Sequence, residues 1–256
     1  MAANVIPIPR RSDAHRRALA ERRANIIEER RRSFLRLASH ELRTPLNAVI
    51  GFSEILANEL CGPLGAPQYK QYAEHVRLSG LKLLRLVNQM LEIVRLDGDA
   101  TDLQTTSEPL DHALDDVLDT VRTELRAKDL RVAVGSADGV ATVKADPRGL
   151  RTVLCNLIQN SIAFSPAGGE IRVRSAVLGD RVEITITDDG EGVDPAEIPR
   201  LLRPFEQGEN ALTRSNEGAG LGLPIARLLC RNMGGSLKLH CQPGHGLEAT
   251  VALPRG

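Results

Sequence analysis

Apolar or small side chains in the first part of the chain recur every three or four residues, the spacing of one face of an α-helix. The stripe consists of Leu35, Ala38, Leu42, Leu46, Val49, Ser53, Leu56 and Leu60. Its spacing is close to the seven-residue repeat of helices that pack side by side. The pattern therefore predicts one long helix over residues 35–60.

Residues 61–67 interrupt this pattern with two glycines and two prolines, which predict a turn. A second periodic segment follows from about Gln68 to Leu96. Its apolar stripe includes Leu78, Leu81, Leu84, Val87, Leu91 and Val94. The two segments together predict a long antiparallel helical hairpin.

The hairpin carries wider apolar stripes than two helices can bury on each other. A homodimer that forms a four-helix bundle would bury both stripes. The alternative is a monomeric hairpin that packs against the C-terminal half of the chain. We expect the dimer, because bundle cores normally need four contributing helices.

The pattern changes near residue 100, where shorter segments with a different spacing begin. Strands are predicted at residues 130–134, 141–144, 170–175, 181–187, 236–240 and 247–253. Helices are predicted at residues 111–128, 147–164 and 221–232. Asp146 and Pro147 supply an N-cap and a first-turn residue for the second of these helices. Hairpin-connected strands with helices on one face predict an α/β sandwich.

These patterns divide the chain into three parts. Residues 1–30 are expected to form a basic arm or helix extension, because the segment from Arg10 to Arg36 carries ten arginines against four acidic residues. Residues 31–100 form the hairpin and residues 101–256 form the α/β domain. The expected fold class is thus a helical hairpin that dimerises as a four-helix bundle, followed by an α/β sandwich.

The amino-acid composition argues against some classes of binding partner. The formal net charge is zero, which gives no reason to expect nucleic acid or an anionic membrane. Aromatic residues make up 2 % of the chain and tryptophan is absent, so base-stacking platforms are not expected. For the same reason any core must be aliphatic.

Cysteine usage and hydropathy bear on the compartment. The four cysteines form no C-x-x-C pair and match no zinc spacing, which favours reduced thiols in a cytosolic protein. No apolar run approaches the roughly 18–20 residues that cross a bilayer. The N-terminus lacks the apolar core of a signal peptide. We expect a soluble, cytoplasmic protein without a membrane span.

The segment around His40 carries the first candidate chemistry. His40 and Glu41 are neighbours, and Thr44 lies four and three residues beyond them, so the three share one patch of the predicted helix. An exposed histidine beside a carboxylate can act as a nucleophile with an adjacent base. Metal binding is a poor alternative, because no second histidine or cysteine lies three or four residues away. An ordinary surface histidine remains the simpler alternative on this segment alone.

Two further polar segments lie in the α/β part. Asn156 and Asn160 are four residues apart on a predicted helix, so their amide oxygens could hold a phosphate-bridged Mg²⁺. Asp188 directly follows a predicted strand, where it could accept a hydrogen bond from an exocyclic amine. Gly190 and Gly192 would let a flat ring approach the backbone. A polar helix edge and an ordinary turn are the alternatives.

A glycine-rich segment precedes the last predicted helix. Gly218, Gly220 and Gly222 leave backbone N–H groups free to meet a phosphate at a helix start. The spacing is superficially that of a dinucleotide site, but no βαβ unit with a suitably placed acidic residue follows. The Gly-Lys-Ser/Thr of a P-loop is also missing.

Five of these segments together resemble the H, N, G1, F and G2 boxes of two-component sensor histidine kinases. They read, in the family's order, S-H-E-L-R-T-P-L, N-L-I-Q-N, D-D-G-E-G-V, R-P-F-E-Q and G-A-G-L-G-L. The resemblance covers nearly the whole chain after about residue 30. It implies a dimerisation and histidine-phosphotransfer domain over residues 31–100. It also implies a Bergerat-type catalytic ATP-binding domain over residues 101–256.

The resemblance implies roles for individual residues. His40 would accept the γ-phosphoryl group of ATP, and Glu41 would take the imidazole proton. Thr44 completes an E-x-x-T pattern that implies dephosphorylation of a response regulator, with the hydroxyl orienting the attacking water. Phosphoryl transfer needs mainly positioning and charge neutralisation, which such a constellation can supply.

Further roles in the nucleotide pocket follow from the same resemblance. Asn156 and Asn160 would lie near Mg²⁺ and the phosphates, and Asp188 would read adenine. Residues 205–219 would form a lid over the pocket. The remaining residues expected at the nucleotide are Gly190, Gly192, Arg214, Gly218, Gly220, Leu221 and Gly222.

Two positions depart from the family's pattern. Ala163 stands where a lysine usually follows the second N-box asparagine, and Thr152 stands where Glu or Gln is common. A lost charge-assisted phosphate contact is worth about 1.5–3 kcal/mol. Arg214 or Arg203 could substitute for the missing lysine.

The sequence leaves three functions open. The first is a histidine kinase that uses ATP and Mg²⁺, acts on a response regulator, and also has phosphatase activity towards it. The second is a phosphorelay adaptor or phosphatase-biased scaffold, which Ala163 favours. The third is a different ATPase of the same nucleotide fold, which the His40 segment disfavours. Only about 30 residues precede the hairpin, so we expect the signal to come through the N-terminal helix, an upstream sensory partner or a further domain.

Overall fold

A computed structural model of the chain describes residues 42–97, 103–137, 139, 141–206, 219–241 and 244–256. The chain divides into two compact units between Val87 and Asn88. The first unit contains most of a helical hairpin, and the second contains the last residues of its second helix, 88–96, and an α/β structure. These are the two kinds of structure that the sequence predicts.

The hairpin consists of helix α1, described over residues 42–57, and helix α2, Pro67–Leu96. The predicted N-terminal part of α1, residues 35–41, lies outside the described residues. In the intervening turn, Glu59 and Gly62 adopt positive φ values of 54° and 117°. Glu59 Oε1 accepts a hydrogen bond from the Leu64 N–H over 3.2 Å, which stabilises the turn. The predicted hairpin is confirmed.

Contact between the two helices uses small residues. Ser53 and Ala57 are buried on α1, as are Ala73 and Gly80 on α2. A Cβ atom at Gly80 would lie only 2.8 Å from Cγ1 of Ile50, so glycine allows the helices to approach closely.

The predicted stripe is therefore only partly buried within one chain. The stripe residues that remain exposed are Leu42, Val49, Leu56, Leu60, Leu78, Leu81 and Val94. The apolar spacing predicts that a second chain covers such residues in a four-helix bundle, and close packing within one hairpin selects small side chains.

The second unit contains most of the secondary structure. Its helices are α3 (Leu110–Ala127), α4 (Pro147–Phe164), α5 (Ile198–Leu201) and α6 (Gly222–Asn232). Its strands are β1 (Thr106–Pro109), β2 (Arg131–Ser136), β3 (Thr142–Ala145), β4 (Glu170–Leu178), β5 (Arg181–Asp188), β6 (Ser236–Cys241) and β7 (Leu247–Pro254). A short 3₁₀ turn, Pro195–Glu197, precedes α5.

Five of these strands form one sheet in the order β2-β4-β5-β7-β6. The β2–β4 pair is parallel, and the other pairs are antiparallel. Strands β1 and β3 form a separate two-stranded antiparallel ribbon. Strand β5 is central, and it alternates between buried and less buried residues along its length. Its last residue, Asp188, pairs with Ile171 of β4, so the end of β5 is held by its neighbour.

Helix α4 packs against α3, α6 and strand β5, and eight of its residues are buried, so it lies at the centre of the core. The largest fully buried side chains of this unit are Leu96, Val121, Leu150, Leu154, Leu157, Ile158, Ile171, Ile184, Ile186, Leu221, Leu229 and Leu253. All of them are aliphatic, as the scarcity of aromatic residues predicts. The α/β sandwich is confirmed.

Three elements of this unit were not predicted. Strand β1 is short, polar and ends in Pro109, so it lacks the alternation that marks a strand. The 3₁₀ turn and α5 span seven residues between them and are too short to show helical periodicity. No helix in the described ranges is long and apolar enough to cross a membrane.

Candidate functional site

Helix α4 carries the two predicted asparagines on one face. Its N-terminus is capped by Asp146, whose Oδ1 accepts a hydrogen bond from the Gly149 N–H over 2.8 Å. Asn156 donates from Nδ2 to the Thr152 carbonyl over 2.9 Å, and Asn160 lies one turn further along. Both asparagines are half-buried. Since the Asn156 N–H₂ group is engaged by the helix backbone, its Oδ1 is turned outwards as an acceptor.

The Asn156 oxygen faces the start of helix α6. A Cβ atom at Gly222, the first residue of α6, would lie 3.1 Å from Asn156 Oδ1. Leu221 is the N-cap residue of α6 and is fully buried, which anchors the helix start. Gly220 has φ +67°, and a Cβ atom there would lie 2.7 Å from the Glu206 carbonyl oxygen. The N-terminal end of α6 therefore lies against the outward oxygen of Asn156.

The carboxylate of Asp188 lies at the end of β5 and is 1 % exposed. Its Oδ1 accepts hydrogen bonds from the Gly190 N–H over 3.0 Å and the Leu247 N–H over 3.1 Å. Within the part of the chain that the structure describes, Oδ2 has no hydrogen-bond partner. A buried acceptor without a partner is costly, which suggests that a ligand supplies the missing donor.

Burial sets the electrostatics of this carboxyl group. Desolvation raises the pKa of Asp188 above its ordinary value, because it disfavours the charged form. The Leu247 and Gly190 N–H groups and the Ser161 hydroxyl act in the opposite direction by stabilising the carboxylate. The negative charge of neighbouring Asp189 raises the pKa slightly further.

Glycines bring the backbone close to this carboxylate from two sides. A Cβ atom at Gly190 would lie 2.8 Å from Asp188 Oδ1 and 3.1 Å from the Phe164 carbonyl oxygen at the end of α4. Gly246, at φ +75°, approaches Asp188 from the turn before β7. A Cβ atom there would lie 1.8 Å from the Asp188 carbonyl oxygen. Gly192 also has a positive φ, 66°, as its predicted place in a tight loop requires.

Helix α4 thus touches both glycine-rich segments. Asn156 meets Gly222, and Phe164 meets Gly190 eight residues later, which is about 12 Å along a helix. This spacing separates a buried carboxylate oxygen at one end from the Asn156 amide oxygen and a helix N-terminus at the other. The first end can accept a hydrogen bond from a planar base, and the second can hold an anion and a cation.

Several predicted site residues lie elsewhere or outside the described residues. His40, Glu41, Arg214 and Gly218 lie outside them. Thr44 is exposed on α1 in the first unit. The predicted lid, residues 205–219, is described only at its two ends. There the Phe205 N–H donates to the Gly220 carbonyl over 3.2 Å.

The two departures from the expected N-box pattern have different surroundings. Thr152 donates from its hydroxyl to the Arg148 carbonyl over 2.8 Å. Near Ala163, Lys128 Nζ donates to the Ile162 and Ala163 carbonyls over 2.7 and 2.8 Å. Lys128 therefore caps the C-terminal end of α4 and is committed to backbone oxygens. Arg203 forms an ion pair with Glu206 at 3.6 Å.

Sequence reasoning missed the turn between β6 and β7 as a wall of the site. Leu247 and Gly246 contact Asp188, and Gly244 donates from its N–H to the Glu191 carbonyl over 2.6 Å. The pair of glycines just before the last strand was the available signal. No sequence signal marked Lys128 as the cap of α4, because a lysine that follows a helix is common on protein surfaces.

The residues present fit a nucleotide with Mg²⁺ better than a protein-only metal site. Among the described residues, no group of three or more His, Cys, Asp and Glu side chains could hold a metal ion. Near the α6 N-terminus the side-chain oxygen is that of Asn156, and Asn160 lies one turn further along α4. Mg²⁺ accepts few protein ligands when phosphates supply the others, so two amide oxygens are sufficient.

Similar proteins support this interpretation. The non-motile and phage-resistance protein of Caulobacter vibrioides is 36 % identical over 236 residues, which are 91 % of this chain and 28 % of that protein. The cell-division control histidine kinase PdhS of Brucella suis is 31 % identical over 244 residues, covering 92 % of this chain and 24 % of that protein. The chain thus spans about a quarter of the length of the curated relatives it matches.

A solved structure is similar as well. The crystal structure of full-length ShkA in complex with AMPPNP is 30 % identical and has a TM-score of 0.75. The match covers 88 % of this chain and 46 % of that one.

The fold and the site define a nucleotide-binding ATPase domain. Residues 145–256 match the model of the histidine kinase-, DNA gyrase B-, and HSP90-like ATPases. Residues 30–99 match the model of the His Kinase A (phospho-acceptor) domain. The second match separates the chain from other ATPases of the same nucleotide fold. The chain belongs to the two-component sensor histidine kinases.

Proposed function

We propose that the protein phosphorylates its own His40 from ATP and passes the phosphoryl group to an aspartate of a response-regulator receiver domain. The domains on either side of residue 100 match the two parts that such a reaction needs. The proposal covers activity, substrates and partners, and each of these is open to direct test.

The partnerless oxygen of Asp188 is the observation that carries the proposal. A buried carboxylate with one satisfied and one open oxygen fits the exocyclic amine of adenine, which donates N–H. Gly190 and Gly246 leave the surrounding backbone without side chains, so a flat ring can approach it. Adenine would thus be read by Asp188, within a frame of glycine backbone.

The phosphates would lie towards the other end of helix α4. The N-terminus of α6 offers backbone N–H groups from the segment that begins near Gly220. Asn156 and Asn160 would hold Mg²⁺ through their amide oxygens. When bound, Mg²⁺ would supply positive charge that neutralises the phosphates. Arg214 and Gly218 belong to the same proposal through the family resemblance.

The acceptor chemistry is proposed for the start of the hairpin. His40 would attack the γ-phosphorus of ATP through its unprotonated imidazole nitrogen while the bond to the β-phosphate oxygen breaks and ADP leaves, and Glu41 would take the proton from the other ring nitrogen. Thr44 would orient a water for the reverse task, hydrolysis of the phosphoryl-aspartate on the response regulator. The exposure of Thr44 on α1 suits a residue that faces a partner protein.

A homodimer is part of the proposal because the hairpin leaves two regular apolar stripes open. Leu42, Val49 and Leu56 on α1 are seven residues apart, as are Tyr69, Val76 and Leu83 on α2, and each is 46–60 % exposed. Apolar residues that repeat every seven positions form the contact faces of helical bundles. A second copy presents the same stripes, which gives a self-complementary four-helix core.

A phosphatase-biased scaffold or phosphorelay adaptor is the second candidate, and Ala163 favours it. No side-chain cation stands at this position, and the nearby Lys128 Nζ is occupied by the Ile162 and Ala163 carbonyls. A lower affinity for the phosphates of ATP would reduce kinase activity more than phosphatase activity, because only the kinase reaction takes its phosphoryl group from ATP.

The compartment and the source of the signal are proposed from the reagents of the reaction and from the length of the relatives. ATP and response-regulator receiver domains are reagents of the cytoplasm, so we propose that the chain works there. The curated relatives are several times longer than this chain. We therefore propose that an upstream sensory partner or domain supplies the signal.

Incubation with γ-labelled ATP and Mg²⁺ tests the proposal. The wild-type chain should acquire acid-labile, alkali-stable label, as expected for phosphohistidine, and His40→Ala and Asp188→Asn should acquire none. No label on a wild-type chain that binds ATP would favour the scaffold and reject the kinase. Label that survives His40→Ala would reject His40 as the acceptor.

A further inference from the structure

One peptide group connects the β6–β7 turn to the buried carboxylate. The Gly246 carbonyl accepts a hydrogen bond from the Cys241 thiol over 2.9 Å, and the Leu247 N–H donates to Asp188 Oδ1 over 3.1 Å. The carbonyl of one residue and the N–H of the next belong to the same planar unit, and in a trans peptide they point in opposite directions. The orientation of this plane therefore links the thiol on one side to the carboxylate on the other.

The same thiol is tied to the loop that follows Asp188. The Val193 N–H donates to Cys241 Sγ over 2.9 Å, so the sulfur accepts one hydrogen bond while its S–H donates another. Val193 directly follows Gly192, whose positive φ turns the loop. The Gly244 N–H adds a parallel connection to the Glu191 carbonyl. Cys241 is 2 % exposed, so water does not compete for these contacts.

We infer that Cys241 is a positioning residue for Asp188, which fixes the Gly246–Leu247 peptide so that Oδ1 is held and Oδ2 stays open to a donor on the ligand. The inference rests on the proposed binding of ATP, since the exocyclic amine of adenine is that donor. Cys241 does not touch the ligand. It acts through the peptide plane, and a hydrogen bond at one end of a peptide group strengthens the one at the other end.

The loss of this contact has a defined consequence. Without the thiol, the Gly246–Leu247 peptide can rotate, because Gly246 itself has a wide range of backbone conformations. The Leu247 N–H would then leave Oδ1 for part of the time, and the carboxylate could turn away from the ligand. A residue with both a donor and an acceptor should restore the plane, and an apolar one should not.

Calorimetric titration of the full chain with ATP tests this inference. Cys241→Ala should raise the ATP Kd about tenfold with one nucleotide still bound per chain. Cys241→Ser keeps a donor and an acceptor, so its Kd should stay within about threefold of the wild-type value. Cys230→Ala is the matched control, because Cys230 is also fully buried in this unit and lies on helix α6 instead of in β6 or the turn that follows it. Its ATP Kd should match that of the wild type.

Two results would overturn the inference. One is a Cys241→Ala chain that binds ATP as tightly as the wild type. The other is an equal loss of affinity in Cys241→Ala and Cys230→Ala, which would mean that any buried thiol stabilises the unit. Rescue by serine is the result that a purely space-filling role would not give.

Amide hydrogen exchange without nucleotide separates this inference from the proposed function. In Cys241→Ala the Leu247 amide should exchange about tenfold faster, while amides in the centre of β7 stay at the wild-type rate. A response at Leu247 in a protein that never binds ATP would reject the proposed function and leave the positioning role standing. An unchanged Leu247 rate would reject the positioning role whatever the nucleotide result.

Discussion

The two units of this chain treat their apolar side chains in opposite ways. In the second unit, large aliphatic residues of α4, β5 and β7 are completely buried, among them Leu154, Ile158, Ile184 and Leu253. In the hairpin, residues at seven-residue intervals on both helices remain about half exposed, including Val49 and Leu83. One unit completes its core within a single chain, whereas the other leaves apolar side chains exposed within its own chain.

This difference matches what each unit is proposed to do. The nucleotide pocket needs a buried carboxylate in a fixed orientation, which requires a rigid frame around it. A phosphoacceptor hairpin must expose its histidine and bind partner proteins, so its functional residues must lie on its surface. Substitutions in the second unit should therefore change its own stability and ATP affinity, whereas substitutions on the open stripes of the hairpin should change dimerisation.

The largest effect is expected where the turn before β7 touches Asp188. Gly246→Ala places a Cβ atom on the Asp188 carbonyl oxygen, so the turn or the strand must move. It should lower the free energy of unfolding by about 4 kcal/mol in urea denaturation. Gly244→Ala is the control, because Gly244 also has positive φ but meets no atom within 4 Å. It should cost only about 1–2 kcal/mol. Equal losses would show that backbone conformation, and not the close approach, decides stability.

The next effect concerns nucleotide affinity. Asp188→Asn removes the negative charge that accepts from adenine and should weaken ATP binding about 100-fold in calorimetric titration. Asp189→Asn is the neighbouring control. Asp189 accepts from Arg172 over 2.9 Å and from the Glu170 N–H over 3.1 Å, outside the pocket. Its variant should bind ATP within about threefold of the wild type. An Asp188→Asn chain with wild-type affinity would contradict the assignment of the pocket.

A third prediction addresses the open stripe of the hairpin. Val49→Glu introduces a charge into the proposed dimer contact and should raise the dimer dissociation constant at least about 30-fold, because an unpaired charge must be desolvated. Sedimentation equilibrium measures the change. Asn47→Glu adds the same charge at an exposed position two residues away, on another face of α1, and should leave the dimer intact. Equal effects of the two substitutions would mean that the stripe is not the contact.

The smallest effect is a stability gain at Asp188. Since burial raises the pKa of this carboxyl above 3.8, the folded chain binds the proton more tightly than the unfolded chain does. Ionisation therefore costs folding free energy, and the cost appears as the pH rises from that value through the raised pKa. Asp188→Asn should raise the free energy of unfolding by about 1 kcal/mol at neutral pH. Without nucleotide, this gain should shrink towards pH 4, and a gain that grows on acidification would contradict the account.

Much of this fold could be predicted from local patterns. The bounds of α4 follow from Asp146, Pro147 and the apolar spacing behind them, and β5 follows from strict alternation. Strand β1 could not be predicted, because its pairing with β3 arises between segments far apart in the sequence. The contact between the two hairpin helices includes Ala73 and Gly80, which are not among the residues of the apolar stripes.

The candidate site also contains residues that local motifs predict and residues that only long-range folding brings together. Asn156, Asp188 and Gly222 belong to short motifs that the sequence displays directly, and the structure brings Asn156 against Gly222. The contribution of Cys241 and Leu247 depends on a turn folding back onto β5, which no local pattern encodes. Residues that act through backbone groups leave the weakest trace in a sequence.

ATP binding across a dilution series tests the central contrast most directly. The chain would be diluted through its monomer–dimer transition, which sedimentation follows, while the ATP Kd and stoichiometry are measured at each concentration. The account predicts one nucleotide per chain and the same ATP Kd for monomer and dimer. The reason is that the second unit of a single chain supplies the whole pocket. An affinity that falls as the dimer dissociates would show that the partner chain completes the pocket and would contradict the account.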